Sequence, residues 1–485
     1  MILLLTDFLY STVDTTQIIQ GSIVLQDVNV SLANSIRRTL MSKLPSIGFK
    51  AKDIKIQTNK SSMHHEYIQH HISGIPIYRD PRMKLITLFK DDEENYGRVY
   101  TFADDSIVPV FKLNEKNDSE FVAMNTNIKE LYTNNFKVYS SNSEDATELD
   151  INDFFKKDLF TNEYVHFYLL KSNPNDASKG ETLVLDAIPT VGTAQDHAFY
   201  SPIPNVAYEF IGEDAKIKDM VFEMMYDQIN KERELKQLEP LNEKDKQQER
   251  RNFDRLDTDR IYKHNQDGEC NLIKLTIENL ATPVYSPLQA FMDSLHVLEL
   301  EFIDLLNGIK ITSEEIQLNE KLYNFSFNHG HAFIKMEKNG HTIGNLIEDY
   351  SKRLTYRDII KYQKTPERPL YYIQDTFFEY CSYKITHPLE TTVIFKMKIN
   401  DQDLSPIFQA SSWNKTTQGR APYVIGFYKI MQIILNEIVL LQDKFVEAQT
   451  DASVGTSQTI KSGDIVRDPS FKKLNDSYVK ELFFE

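Results

Sequence analysis

The chain has 485 residues, and 55 Lys and Arg set against 71 Asp and Glu leave a net charge of −16. At roughly 150 residues per domain, that length predicts about three folding units with ample material for a core. A 41% hydrophobic and 11% aromatic composition excludes a disordered chain, and the acidic balance disfavours a protein that mainly contacts nucleic acid.

In chain order, Met1–Leu5 is apolar but too short for a signal-peptide core. No run approaches 18 apolar residues, so no membrane span is expected. Residues 18–30 read as strand. Leu32, Ile36, Leu40 and Leu44 recur every four residues and predict a helix, with Ser31 as its N-cap and Pro45 as its stop. Residues 46–210 mix short β-type runs (53–57, 85–89, 108–113, 164–170) with solvated loops at Asp91–Glu94 and 171–180.

Half of the residues in 211–260 are charged, with both signs mixed, which predicts an inserted arm of exposed helices. Residues 271–278 alternate as a strand. Pro287 to Gly308 predicts a long apolar helix carrying Leu295, Leu298 and Phe302, with proline near its start and glycine at its end. A polar linker is expected over 309–323. Phe325–Met336 is β-like, and Thr342–Leu354 predicts a helix capped by Thr342 that carries Ile343 and Leu346. Ser382–Ile385 and Val393–Ile399 read as strands. Tyr423–Ala448 predicts a long helix carrying Ile430, Ile434 and Ile438, followed by a polar tail over 449–485. Each half therefore runs strand, short helix, strands, long apolar helix, a coarse internal repetition.

Candidate chemical sites are sparse. The run His64-His65-Glu66-Tyr-Ile-Gln-His70-His71 resembles a metal motif at first sight. A zinc protease needs His-Glu-x-x-His on one helix face, whereas His65 and His70, five residues apart, diverge by about 140°. Surface packing or partner contact is the better reading. A free-standing metal-dependent enzyme using His64–His71 is the competing one, and a stand-alone scaffold is a third. Gly340-His-Thr-Ile-Gly344 and Gly192-Thr-Ala lack the Lys-Ser/Thr of a phosphate cradle. Asp104-Asp105 reads as a surface turn rather than a magnesium pair. Cys270 and Cys381 alone cannot build a four-cysteine zinc site or a disulfide scaffold, so a reducing compartment is expected. Arg37 and Arg38, adjacent on a short apolar helix, cannot both face the core; they suit either a solvated helix edge or carboxylates at an interface.

Three ordered segments carry a family resemblance. Asn29-Val-Ser-Leu-Ala-Asn-Ser-Ile-Arg-Arg-Thr-Leu-Met-Ser-Lys-Leu-Pro45 resembles the first-helix signature of the alpha-type assembly subunits of multisubunit RNA polymerases. Asn59–Ile77 is similar to a second signature through Glu66, Ile68, His70, Ile75 and Pro76, while His65, His71 and Ser73 depart from its Asp, Arg and Gly. Gly192-Thr-Ala-Gln-Asp-His-Ala-Phe-Tyr-Ser-Pro202 is similar to a third, with both family lysines lost. In the second half, Asn339–Leu346 and Tyr383-Lys-Ile-Thr-His-Pro-Leu389 resemble the smaller partner of that family. In eukaryotes the two are the third-largest and eleventh subunits, and in archaea D and L. Their fusion in one chain resembles the arrangement in large DNA viruses with a eukaryote-like polymerase. The resemblance covers roughly 18–308 and 324–448.

The resemblance implies an α+β fold with two dimerization modules paired within one chain: 1–50 with 205–310, including the arm 211–265, and 324–448 behind a linker at 311–323. A mostly β insertion domain occupies 51–204. The implied pairing interface is Leu32, Ile36, Leu40, Leu295, Leu298, Phe302, Ile343, Leu346, Ile430, Ile434 and Ile438. Arg37, Arg38, His65, Glu66, His70 and Pro76 are the implied contacts to the large subunits. The implied role is a non-catalytic platform, one copy per polymerase, for the largest and second-largest subunits and a small platform subunit, with little nucleic-acid contact and no membrane. Magnesium would sit on the catalytic partner. The zinc or iron–sulfur site of many relatives is expected to be absent, because 51–204 has no cysteine. The viral likeness implies a virion and host-cytoplasm location, with a nuclear phase left open.

Overall fold

The computed structural model describes residues 3–4, 18–77, 85–91, 96–102, 108–118, 128–140, 146–157, 161–173, 179–265, 268–280, 287–311, 316–337, 340–355, 376–387, 390–400 and 415–453. Asp104-Asp105, Pro388-Leu389, the loops at 92–94 and 174–178, most of Met1–Leu5 and the tail from 454 onward lie outside the described residues.

The chain starts with β1 (Leu3–Leu4) and β2 (Ile18–Gln26) and turns into α1 (Val30–Ser42). The N-cap of α1 is Asn29 rather than Ser31: its Oδ1 accepts from the Ser31 backbone N–H at 2.9 Å. Both residue types can cap, and Asn29 holds the extended backbone that a cap needs. The helix stops at Ser42. Pro45 instead opens β3 (Pro45–Asn59), which leads into α2 (His65–Ser73). Then follow β4 (Leu85–Asp91), β5 (Tyr96–Phe102), β6 (Val110–Lys116), β7 (Ile128–Tyr132), β8 (Lys137–Tyr139), β9 (Glu148–Leu149), β10 (His166–Lys171) and β11 (Thr182–Thr193). Five of these strands form a sheet in the order β3-β11-β6-β8-β9, and its own apolar core contains Phe49, Phe111, Phe136, Phe154 and Phe155.

The chain then returns through β12 (Asn205–Phe210). The charged arm follows as two helices, α3 (Ala215–Leu235) and α4 (Glu243–Leu256), held together by Phe222 against Phe253 with the Arg250 guanidinium over Phe222. β13 (Leu272–Leu280) completes a four-stranded antiparallel sheet ordered β1-β2-β13-β12, and α5 (Pro287–Asn307) follows it. The stretch read as a polar linker contains a hairpin, β14 (Ile309–Ile311) with β15 (Ile316–Leu318), whose Ile309 and Ile316 are buried in the core.

The second half has β16 (Tyr323–Asn328), β17 (His331–Met336), α6 (His341–Ser351), β18 (Phe378–Ile385), β19 (Val393–Ile399) and α7 (Lys415–Ser453). Its N-cap correction parallels the first: Gly340 precedes α6, and Thr342 lies within the helix. The second sheet is ordered β16-β17-β19-β18. That is the order of the first sheet, strand for strand, with the short helix after the second strand and the long helix after the fourth.

The helices of the two halves meet in one hydrophobic core. It runs from Leu32, Ile36 and Leu40 through Leu295, Leu298 and Phe302 to Ile343, Leu346, Ile430, Ile434 and Ile438. Fourteen of the 21 residues of α5 are buried, so most of this helix lies within the core. Residues Gly419–Glu447 of α7 are long and apolar enough to cross a membrane, contrary to the expectation from simple apolar runs, and more than half of the most apolar 18 residues among them are buried inside the fold.

Gly344 on α6 sits where an added Cβ would lie 2.6 Å from the Tyr383 ring, whereas Gly419 on α7 faces open space. Gly344→Val should therefore destabilise the protein by about 2 kcal/mol through overpacking. Gly419→Ala should stabilise it by about 0.5–1 kcal/mol by removing a helical glycine. Thermal unfolding of the two variants, with opposite shifts, checks both.

Candidate functional site: the junction of the two halves

α1 lies at the centre of the junction, since it packs on α5 within its own half and on α6 of the other. Its first arginine, Arg37, is half-buried, and its Nε donates to Asn34 Oδ1 at 3.1 Å. Arg38 is exposed and reaches across the halves, donating from Nε to Thr342 Oγ1 at 2.7 Å. Just past the helix, the Lys43 ammonium sits 2.6 Å from a Glu301 carboxylate oxygen on α5. α1 and the residue that follows it thus carry three cations tied to neighbours within the chain.

The 192–202 segment buttresses the end of α1. The Tyr200 ring lies against Gly48 of β3 and Gly192 of β11, where an added Cβ would stand 2.8 and 2.7 Å away. The Tyr200 hydroxyl is 3.0 Å from Thr190 Oγ1, and burial pushes its acidity down, raising its pKa. The backbone N–H of Gln195 donates to Ser42 O at 3.2 Å, and Ser201 Oγ donates to Met41 O at 3.3 Å. These glycines serve close packing of an aromatic ring, not a phosphate.

The 59–77 segment presents a two-sided helix. Ile68, Ile72 and Ile75 are buried against the five-stranded sheet, and Gln69 Nε2 donates to Ile54 O at 2.8 Å. Asn59 shapes the entry by accepting from the Ser61 N–H at 2.9 Å. His64, His65, Glu66, Tyr67, His70, His71 and Pro76 all face solvent. Among the described residues, no group of three or more His, Cys, Asp or Glu could hold a metal ion. Both cysteines are free and buried, and burial pushes the Cys381 thiol up to about 12. Neither suits a nucleophile, which needs a stabilised thiolate.

Periodicity reasoning passed over the polar groups inside the junction. Glu299 on α5 is buried, sits 3.2 Å from His296 Nδ1 and accepts from Gln442 Nε2 of α7 at 2.8 Å. Tyr350 of α6 donates to Glu437 of α7, and burial raises the pKa of both groups. Lys429 on α7 is buried, donates to Gln432 Oε1 at 2.9 Å, and is pushed down by burial to about 8. The available signal was a polar residue on an otherwise apolar helical stripe.

No protein-family model matches the chain. The chain is similar to "DNA-directed RNA polymerases I and III subunit RPAC1" of Saccharomyces cerevisiae, with 27% identity over 191 residues. The aligned part is 39% of this chain and 52% of the yeast protein, so the chain spans about half the length of the curated relative it matches. The likeness is to an alpha-like RNA polymerase subunit, within an α+β fold.

Lys429 yields a pH prediction. Its folded pKa lies below the ordinary lysine value, so the unfolded chain binds the extra proton. Stability should fall as pH drops from about 10.5 to about 8, and the deficit should be complete below that. Lys429→Met should raise stability at pH 7 by on the order of 1–3 kcal/mol and flatten this alkaline dependence. Denaturant unfolding of both proteins across that range measures the difference.

Proposed function

We propose that this chain is a non-catalytic assembly subunit of a DNA-directed RNA polymerase. Its two halves form an intramolecular counterpart of the pair that relatives build from two chains. The observation that carries the reading is the repeated strand order, β1-β2-β13-β12 and β16-β17-β19-β18, with both long helices in one core. The similarity to a yeast polymerase subunit supplies the transcriptional context. Joining two partners in one chain replaces a concentration-dependent association with a high effective concentration.

On this reading the working surface is the exposed part of α1 and α2. Arg37 and Arg38 at the junction, and His65, Glu66, His70 and Pro76 on the outward face of 65–77, contact the largest and second-largest subunits. A further small subunit completes the platform. The chemistry of nucleotide addition, with its magnesium, belongs to the partners. The fused form fits a viral polymerase working in virion and host cytoplasm.

Purification of the native complex should recover both large polymerase subunits with this chain. Charge reversal of Arg37 and Arg38 together should reduce recovery of the second-largest subunit by about tenfold, because desolvated guanidinium–carboxylate contacts weigh heavily in an interface. Unchanged recovery with the fold intact would remove these two residues from the interface. Absence of any polymerase subunit from the native complex would remove the transcriptional reading.

A further inference from the structure

The two four-stranded sheets repeat one another in strand order, but their outer faces differ in charge. In the first, β13 and β12 show Lys274 paired with Glu209 at 2.8 Å, and Glu278 beside Asn205. In the second, β19 and β18 hold the same places and show Lys384, Lys396 and Lys398 against one carboxylate, Glu379. The helices cover the other side of this sheet, where Ile334, Met336, Phe395 and Met397 are buried in the core. Alternation along each strand turns the lysines outward.

The register lays the outer face out in rows. One row reads Ser326, Phe333, Lys396 and Ser382. The row beside it places Asn324 and Lys335 on the first two strands and Lys384 on the last. Lys335 and Lys398 are held by Glu337 and Glu379, each at 2.5 Å. Lys384 and Lys396 have no carboxylate partner among the described residues. Partial burial, and then the ammonium groups of Lys396 and Lys398, push the His331 pKa below the usual histidine value. The local field is therefore positive, although the chain as a whole carries −16.

Two rings stand among these cations. The Tyr380 hydroxyl lies 2.6 Å from His331 Nδ1, and Lys396 Nζ is 5.6 Å from the centroid of its ring. Phe333 is half-buried and makes no ring contact among the described residues.

The side chains thus change in kind across the sheet. β16 offers neutral amides and hydroxyls, β17 an open ring, and β19 with β18 two uncompensated ammonium groups. With strands about 4.8 Å apart, all three kinds lie within about 15 Å. A nucleotide carries the matching set: a base edge of donors and acceptors, a π-face and a phosphate. An acidic peptide uses the ammonium groups and leaves the ring and amides idle. A duplex hides its base faces.

We propose that the outer face of the second sheet binds single-stranded nucleic acid, with a base on Phe333, its edge toward Asn324 and Ser326, and phosphates on Lys384 and Lys396. The chemistry of this face stands apart from the polymerase assignment, and so does its test.

Fluorescent oligouridine and oligothymidine of about 12 nucleotides, within the usual site size of such platforms, are titrated with the full chain. Saturable binding that weakens with salt is expected for at least one, and the tighter of the two names the sugar. Lys384→Gln with Lys396→Gln should weaken it by about tenfold and make the log–log salt slope shallower by about 1.4, at about 0.7 per phosphate contact. Phe333→Leu keeps apolar packing and removes the stacking face, so it should cost at least about fivefold and leave the slope unchanged. Phe333→Tyr restores the face and should bind within about twofold of the unaltered chain. A control pair on the charged arm, Lys231→Gln with Lys244→Gln, removes the same charge and should change affinity by less than about twofold. Circular dichroism confirms that each variant is folded. Equal losses in the two lysine pairs would reduce the binding to general attraction and overturn the proposal. Oligoglutamate or a duplex binding as tightly as the single strand, indifference to Phe333→Leu, or absence of saturation would overturn it as well.

Discussion

The burial of α5 and α7 against each other is the constraint on which the rest depends. α5 buries two thirds of its residues, more than a single four-stranded sheet, which covers one side of a helix, can account for. α7 has the same problem at greater length: its 39 residues span about 58 Å. Each long helix closes the core of the other half, with Phe291 of α5 against Phe445 of α7 at 5.0 Å. The short helices α1 and α6 fill the remaining side of the joint. One core shared by the four helices satisfies both requirements together.

Apolar burial alone would let such helices slide or rotate. The polar groups within the joint restrict that freedom. Glu299 meets Gln442, Glu437 meets Tyr350, and Arg38 meets Thr342, each pairing one half with the other or one helix with a distant one. A misaligned register would leave the Glu299–Gln442 and Glu437–Tyr350 groups at least partly buried and unpaired, at about 1–3 kcal/mol each. They are a poor source of net stability and a good source of selectivity among packings. The insertion sheet, by contrast, keeps its own aromatic core and is tied to the junction mainly through Tyr200 and the end of α1.

Much of this organisation was legible in the residues. The four-residue spacing of Leu32, Ile36 and Leu40, and the Pro287 and Gly308 boundaries of α5, reflect local rules that hold before any tertiary contact forms. The caps were misplaced because Asn29 and Ser31, or Gly340 and Thr342, are neighbours of similar capping ability, and the backbone turn decides between them. The β14–β15 hairpin was missed because three-residue strands have no periodicity of their own, and Ile309 and Ile316 are held by the core rather than by each other. The Arg38–Thr342 contact spans 304 residues and has no local signature. The solvent face of His65–Ser73 was foreseeable as an outward helix, since Ile68 and Ile72 define its buried side.

The central claim is that the two halves are one folding unit, joined by their helices rather than by the chain between them. It is tested most directly by inserting a protease site within residues 312–315 of the full chain, cutting there, and passing the product through a sizing column at micromolar concentration. The account predicts that both fragments elute together and unfold in a single cooperative transition close to that of the uncut protein. Fragments that separate, or that each keep an independent unfolding transition, would contradict it.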